Sequence, residues 1–301
     1  MRMRIVSLVP AATEIACAIG AGRDLVAVTH DCDFPPAVRA LPRVTRSTIA
    51  ASSTSREIDD AVRAAAARGD STFHVDAQAL ADARPDVMLG QTLCEVCAVT
   101  VAQVPAVLDP PPAIVPLDGE TIDGIMADVV RVGDAIGRAS EAARLVTSLG
   151  DRIERVRDRV SALARPTVVS LEWLDPLFSA GHWVPEQVAA AGGRELIGRE
   201  QARSAVVSFD DVVTADPDYL FILPCGFDAA RAVRESRGLL ADERWSRLRA
   251  VRDGHVYALD GNAYFSRPGP RVVDGIELLA SLLHPDAFAS DLRAIPLAVA
   301  H

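Results

Sequence analysis

Two stretches of this chain echo one another. Ala83-Arg84-Pro85-Asp86-Val87-Met88-Leu89 is matched by Ala215-Asp216-Pro217-Asp218-Tyr219-Leu220-Phe221. In each, a helix-forming run ends at a Pro-Asp turn and an apolar run follows, because proline cannot continue a helix and restricts the residue before it. A second pair, Gly22-Arg23-Asp24-Leu25 and Gly193-Arg194-Glu195-Leu196, keeps the same order. The two echoes flank a long amphipathic segment, which points to two related lobes.

The rest of the pattern agrees. Short apolar runs at Arg4–Val9, Leu25–Thr29 and Val87–Gly90, then at Thr167–Glu172, Tyr219–Leu223 and His255–Leu259, read as strands alternating with helices. That alternation defines an α/β chain. A turn at Pro10 is expected, with a helix from about Thr13. Thr54 with Glu57 and Ser208 with Asp211 form capping boxes, and Asp76 and Thr121 are N-cap candidates. From Glu141 to Leu163, the residues Val146, Leu149, Ile153, Val156, Val160 and Leu163 recur three and four apart. This is one apolar stripe on a long helix, suited to a strut between lobes. The expected organisation is an N-terminal lobe over 1–120, linking helices over 121–165 and a C-terminal lobe over 166–301. A closing helix is expected at Gly269–Leu283, with a loosely packed tail beyond Pro285.

No segment is apolar for the roughly 20 residues a membrane span needs. The greasiest stretch, Ile5 to Gly22, is interrupted by Pro10 and Glu14. It is read as strand, turn and helix rather than an export signal, which gives a cytoplasmic expectation; a misassigned start would make the protein extracytoplasmic. The net charge is −10 and there is no lysine. Nucleic acid and anionic membranes are therefore poor partners. An odd count of five cysteines argues against a disulfide framework.

Polar, aromatic and thiol residues gather just after the expected strands, where open α/β sheets bind ligands. The first group is Pro10 and Thr13. The second runs Thr29-His30-Asp31-Cys32-Asp33, with Arg46 downstream. The third begins at Gln91 and carries Cys94 and Cys97. The fourth holds Glu172, Trp173, Asp175, His182 and Trp183, a set resembling a ligand wall, since tryptophan offers a large rigid face and one N–H. The fifth is the loop at Cys225. The sixth holds Asn262, Tyr264, Phe265 and Arg267. Cys32, Cys94, Cys97 and Cys225 all fall in these loops, and would suit zinc or an iron–sulfur cluster if brought together, with pocket lining as the alternative. His74, His255 and His284 read as surface or strand residues without obvious partners. No nucleophile elbow, P-loop, zinc-helix or dinucleotide fingerprint is present, so a binding protein is favoured over an enzyme.

The chain resembles the class III, helical-backbone substrate-binding proteins of ABC importers, which bind vitamin B12, siderophores and haem. It looks most like leaderless members of the vitamin B12-binding branch. The resemblance rests on Ile5-Val6-Ser7-Leu8-Val9-Pro10-Ala11-Ala12-Thr13-Glu14, Arg84-Pro85-Asp86-Val87, the strut helix, Pro176-Leu177-Phe178-Ser179-Ala180-Gly181, Gly192-Gly193 and Arg267-Pro268-Gly269-Pro270-Arg271. It implies two Rossmann-like lobes bridged by one helix, with a ligand cleft between them lined by the six groups above. It implies a cobalamin-like corrinoid or similar metal chelate as ligand, with His30 or His182 on its metal. Permease-coupled members carry a docking glutamate on each lobe, for one of which Glu186 is a candidate; the missing leader argues against coupling to a permease. The competing expectation is a cytoplasmic metalloprotein or enzyme built on the cysteine set, with Glu172, Asp175 or Glu95 as acid or base.

Overall fold

The computed structural model describes residues 2–91, 108, 111–289, 292 and 294–297. They form two compact units. One comprises 1–53, 60–119 and 123–149; the other comprises 54–59, 120–122 and 150–301.

The first unit opens with β1 (Ile5–Ser7), α1 (Pro10–Ala18), β2 (Leu25–Ala27) and β3 (Thr45–Ser47). α2 (Ser55–Ala67), β4 (Phe73–Val75), α3 (Ala77–Ala83), β5 (Val87–Gln91) and β6 (Ala113–Leu117) follow, and α4 (Ile122–Ala135) closes the series. Its sheet is parallel throughout, in the order β2-β1-β5-β6; β3 and β4 form a separate antiparallel pair. Pro10 is the first residue of α1 rather than a preceding turn. Its fixed φ suits that position and its missing N–H costs nothing there. β6 lies where the triple proline 110–112 suggested only a break. It holds Pro116, which an edge strand tolerates because one side of it carries no ladder among the described residues. Three of the expected caps form: Thr54 N–H donates to Glu57 at 2.7 Å, Ala79 N–H to Asp76 at 2.9 Å, and Asp211 N–H to Ser208 at 3.1 Å.

α5 (Ala139–Val160) passes from one unit to the other near Gly150. Leu145 and Val146 pack on the first unit's core. Farther along, Arg152 in the second unit donates to Asp274 and Glu277, each at 2.6 Å.

The second unit runs β7 (Thr167–Leu174), β8 (Leu177–Ser179), α6 (Val184–Ala190), β9 (Arg194–Glu195), α7 (Phe209–Ala215) and β10 (Tyr219–Ile222). α8 (Ala229–Leu240), α9 (Arg249–Arg252), β11 (Val256–Ala258), α10 (Gly261–Tyr264), α11 (Val272–Leu283) and β12 (Ile295–Pro296) complete it. Its parallel strands are ordered β9-β7-β10-β11, with β8 and β12 added antiparallel. Residues 295–297 are therefore not the loose tail expected there. β12 pairs with β11, and Leu297 N–H donates to the Val256 carbonyl at 2.8 Å.

The sequence echoes mark equivalent places in the two sheets. α3 ends at Arg84 and α7 at Asp216, both in the left-handed region, φ 42° and 38°. In each Pro-Asp turn the aspartate accepts an N–H at the start of the unit's first strand, just before it in one and at its first residue in the other. Arg4 N–H donates to Asp86 at 2.8 Å, and Thr167 N–H to Asp218 at 2.8 Å. β1 then pairs with β5 from Ile5 opposite Val87, and β7 with β10 from Val168 opposite Tyr219. His255 has partners after all: its ring stacks on Tyr219 at 4.3 Å and its Nδ1 lies 3.2 Å from the Asp218 carbonyl. Among the described residues no helix is long and apolar enough to cross a membrane.

Candidate ligand-binding residues

In the first unit the carboxyl edge of the sheet carries the starts of three connections. After β1, Thr13 on α1 is fully buried and its hydroxyl lies 3.0 Å from Cys32 Sγ. Cys32 belongs to the unit's hydrophobic core. After β2, His30 is held from two sides. Its N–H donates to Thr45 Oγ1 at 3.0 Å, and its Nδ1 lies 2.7 Å from the same oxygen. Its Nε2 faces Asp31 at 3.4 Å, and Phe73 stands 5.6 Å from its ring. Arg46 is exposed on β3, opposite His74. Gln91 ends β5, buried and in register with Leu117. Cys94 and Cys97 lie outside the described residues.

In the second unit β7 outruns its neighbour. β10 ends opposite Leu171, whereas β7 continues through Glu172, Trp173 and Leu174 into a hairpin with β8. Trp173 packs on Phe227 at 5.2 Å, and the guanidinium of Arg231 lies 3.7 Å over the other ring of that pair, Phe227. The Trp173 indole N–H is buried without a partner among the described residues. Asp175 pairs with Arg56. The Glu172 carbonyl accepts from Cys225 N–H at 3.0 Å, which seats the loop after β10. The Glu172 carboxylate accepts from Gly181 N–H at 3.0 Å and from the Ser204 hydroxyl. Burial outweighs these bonds and raises its pKa to about 7.

His182 sits in the left-handed region, φ 51°. Burial lowers its pKa, with Glu120 opposing and Arg203 reinforcing. Trp183 is buried, its ring 5.7 Å from His182. Asn262 N–H donates to the Phe227 carbonyl at 3.1 Å. Tyr264 is half-buried and edge-on to buried Phe265 at 6.3 Å, with Arg271 5.9 Å from its ring. Arg267 is buried. Glu186 accepts from Ile122 N–H at 2.8 Å, the first residue of α4.

Residue types alone missed two participants. Arg231 sits in the first turn of α8 after the cap Asp228, with no motif to mark it. Ser204 lies in an irregular segment. Among the described residues no group of three or more His, Cys, Asp or Glu side chains is placed to hold a metal ion. The zinc or iron–sulfur metalloenzyme expectation receives no support: Cys32 is core packing around Thr13, and Cys225 is set by its backbone bond to β7.

This architecture is that of a two-lobed binding protein. The periplasmic binding protein family model matches residues 5–263, and the chain belongs to that family. It is 22% identical over 293 residues to the ABC transporter substrate-binding lipoprotein YvrC of Bacillus subtilis, covering 95% of this chain and 81% of the relative. It is 21% identical to the vitamin B12-binding protein of Vibrio cholerae, covering 93% and 88%. A periplasmic heme-binding protein from Pseudomonas aeruginosa superposes with a TM-score of 0.72 at 20% identity, over 99% and 96% of the two chains.

The cytoplasmic expectation is corrected by these findings, since the family and these relatives are periplasmic or lipoprotein. The run Ile5 to Gly22 is indeed core structure, with Ile5, Val6 and Ile15 buried. A core strand and helix at that point carry no information about compartment.

Proposed function

We propose that this chain is the substrate-binding partner of an ABC permease, and that its substrate is a metal-chelate macrocycle of the cobalamin type. One observation carries this reading. Within each unit separately, the ligand-competent side chains stand at the carboxyl ends of a parallel sheet, the edge where α/β folds bind small molecules. A relative of matching length is a vitamin B12-binding protein.

The side chains suit a flat, metal-bearing ligand. Trp173, braced by Phe227 and Arg231, offers a rigid apolar face. Tyr264, Asn262 and Arg267 add polar and aromatic contacts. His30 is the better axial ligand of the two histidines. A metal-bound imidazole has its other nitrogen tied to a second-shell partner, and Thr45 Oγ1 stands at its Nδ1.

A visible-absorbance titration of the purified protein with hydroxocobalamin, run beside hemin, tests the proposal. The expected result is a saturable shift at about one equivalent of corrinoid, tighter than any hemin shift. Trp173→Ala weakens it about tenfold or more, and His30→Ala removes the axial spectral change. Saturable binding of hemin with no corrinoid response transfers the assignment to a tetrapyrrole of the heme type. No response to either removes it.

A further inference from the structure

Gln187 lies on α6, one turn beyond Trp183, with no motif to mark it. It is fully buried, as are Val184, Pro185 and Val188 on the same short helix. A primary amide in such a place is costly unless its N–H groups are used. Both are used. Gln187 Nε2 donates to the Tyr264 carbonyl at 3.0 Å and to the Val272 carbonyl at 2.8 Å. Two carbonyls on one side fix which way the amide points, since its own oxygen would be repelled by both. Its backbone N–H is engaged separately, donating to the Trp183 carbonyl at 2.9 Å.

The two acceptors bracket part of the proposed ligand site. Tyr264 is the last residue of α10, and the closing carbonyls of a helix have no partner within it. Val272 is the first residue of α11. Between them run Phe265, Ser266, Arg267 and the turn Pro268-Gly269-Pro270. One side chain thus ties both ends of the segment that carries Phe265 and Arg267 to the helix that starts at Trp183. The Tyr264 ring is only half-buried, so the backbone beneath it sets its place more than packing does.

α11 passes this junction at Gly275. A Cβ there would lie 2.6 Å from Gln187 Nε2 and 2.9 Å from the Tyr264 carbonyl oxygen. Both are well inside van der Waals contact, so an alanine would displace the amide or the carbonyl. Gly275 is not among the glycines of positive φ. The position requires space rather than backbone freedom.

We propose that Gln187 is a positioning residue for the ligand face: its amide presets the 264–272 segment in the ligand-free protein, in space that Gly275 leaves open. The proposal rests on the reading of Asn262, Tyr264 and Arg267 as ligand contacts. Without the amide, two buried carbonyls lose a donor, and the segment recovers a partner only by shifting toward water. The ligand then has to order the segment as it binds. Affinity falls even though Gln187 is too deeply buried to touch the ligand.

Hydrogen exchange in ligand-free protein, read by mass spectrometry, is the first test. Gln187→Met keeps the side-chain length and removes both donors. Peptides covering 261–276 are expected to exchange about tenfold faster, with those covering β7 and β10 unchanged. Gly275→Ala leaves Gln187 in place and should raise exchange in the same peptides. Val188→Ala is the control, since Val188 is buried on α6 beside Gly193. It should lower the thermal midpoint without singling out 261–276. The second test titrates hydroxocobalamin and hemin. Gln187→Met should bind whichever of them the wild type takes up about tenfold more weakly, and recover wild-type exchange over 261–276 once saturated. Exchange unchanged by Gln187→Met, or raised evenly across the second unit, overturns the proposal. So does wild-type affinity in a variant whose segment has loosened. A wild type that binds neither compound removes the corrinoid assignment, and the exchange pattern of the ligand-free protein still decides whether Gln187 presets the segment.

Discussion

In the first unit Ser7 donates to the Val9 carbonyl at 2.8 Å, and the chain leaves its strand to begin α1 at Pro10. In the second, Ser170 occupies the matching register place, opposite Phe221 as Ser7 is opposite Leu89. There the strand runs on through Glu172, Trp173 and Leu174. Counting from those serines, buried Val9 in one unit answers to Glu172 in the other, and Pro10 to Trp173. A shared scaffold thus gives two kinds of edge. One is a helix start over an apolar core. The other is an extended strand bearing a half-buried acid, an aromatic face and a hairpin. The scaffold fixes where ligand residues stand, and a few residues after the strand decide what they are.

The comparison is open to direct tests. The largest effects belong to the matched core positions Leu89 and Phe221, both fully buried. Leu89→Ala is expected to cost about 2–5 kcal/mol and Phe221→Ala about 3–5 kcal/mol, measured by denaturant unfolding. A negligible cost at either site would end the claim that the two sheets are equivalent cores.

The aspartate pins come next. Asp218 accepts from Thr167 N–H and Oγ1 and also meets Arg249 at 2.6 Å, whereas Asp86 holds Arg4 N–H. Asp218→Ala is expected to destabilise by about 2 kcal/mol and Asp86→Ala by about 1 kcal/mol. The Asp218 pKa is lowered, with burial opposing and the Thr167 and Arg249 bonds prevailing. Its contribution is therefore present above the ordinary aspartate value and disappears as pH falls through the lowered one. The gap between Asp218→Ala and wild type should shrink in strong acid, as read from thermal midpoints.

The smallest effects fall on the left-handed helix ends. Arg84→Gly relieves a strained φ and is expected to stabilise by about 0.5–1 kcal/mol. Asp216→Gly relieves the same strain but loses the Asp216 side chain that accepts from Arg249 N–H at 2.8 Å. Its net effect should be near zero or unfavourable. Equal gains at both sites would show that the second helix end does not depend on that bond.

Most of the regular structure was legible because it rests on local chemistry. The Pro-Asp turns, the Thr54 and Ser208 boxes and the apolar stripe of α5 follow from backbone sterics, orphan N–H groups and helical period. β6 and β12 were not legible. Each is an edge strand containing proline, at positions where only the neighbouring strand supplies a reason to be extended. The site was legible as a set of loops after strands, but not in its working contacts. His30 announces itself; that Thr45 orients it does not, since fifteen residues separate them.

The sequence by itself determined that this chain builds two related parallel sheets. It also determined that its polar and aromatic residues follow their strands, because strand and helix periods and turn chemistry are written in adjacent residues. Only the tertiary structure decided that Cys32 packs in the core beside Thr13, that Ile295–Pro296 forms a strand, and that Glu172 bonds both Gly181 and Ser204. Packing and long-range hydrogen bonds are properties of neighbours in space, and no run of adjacent residues records them.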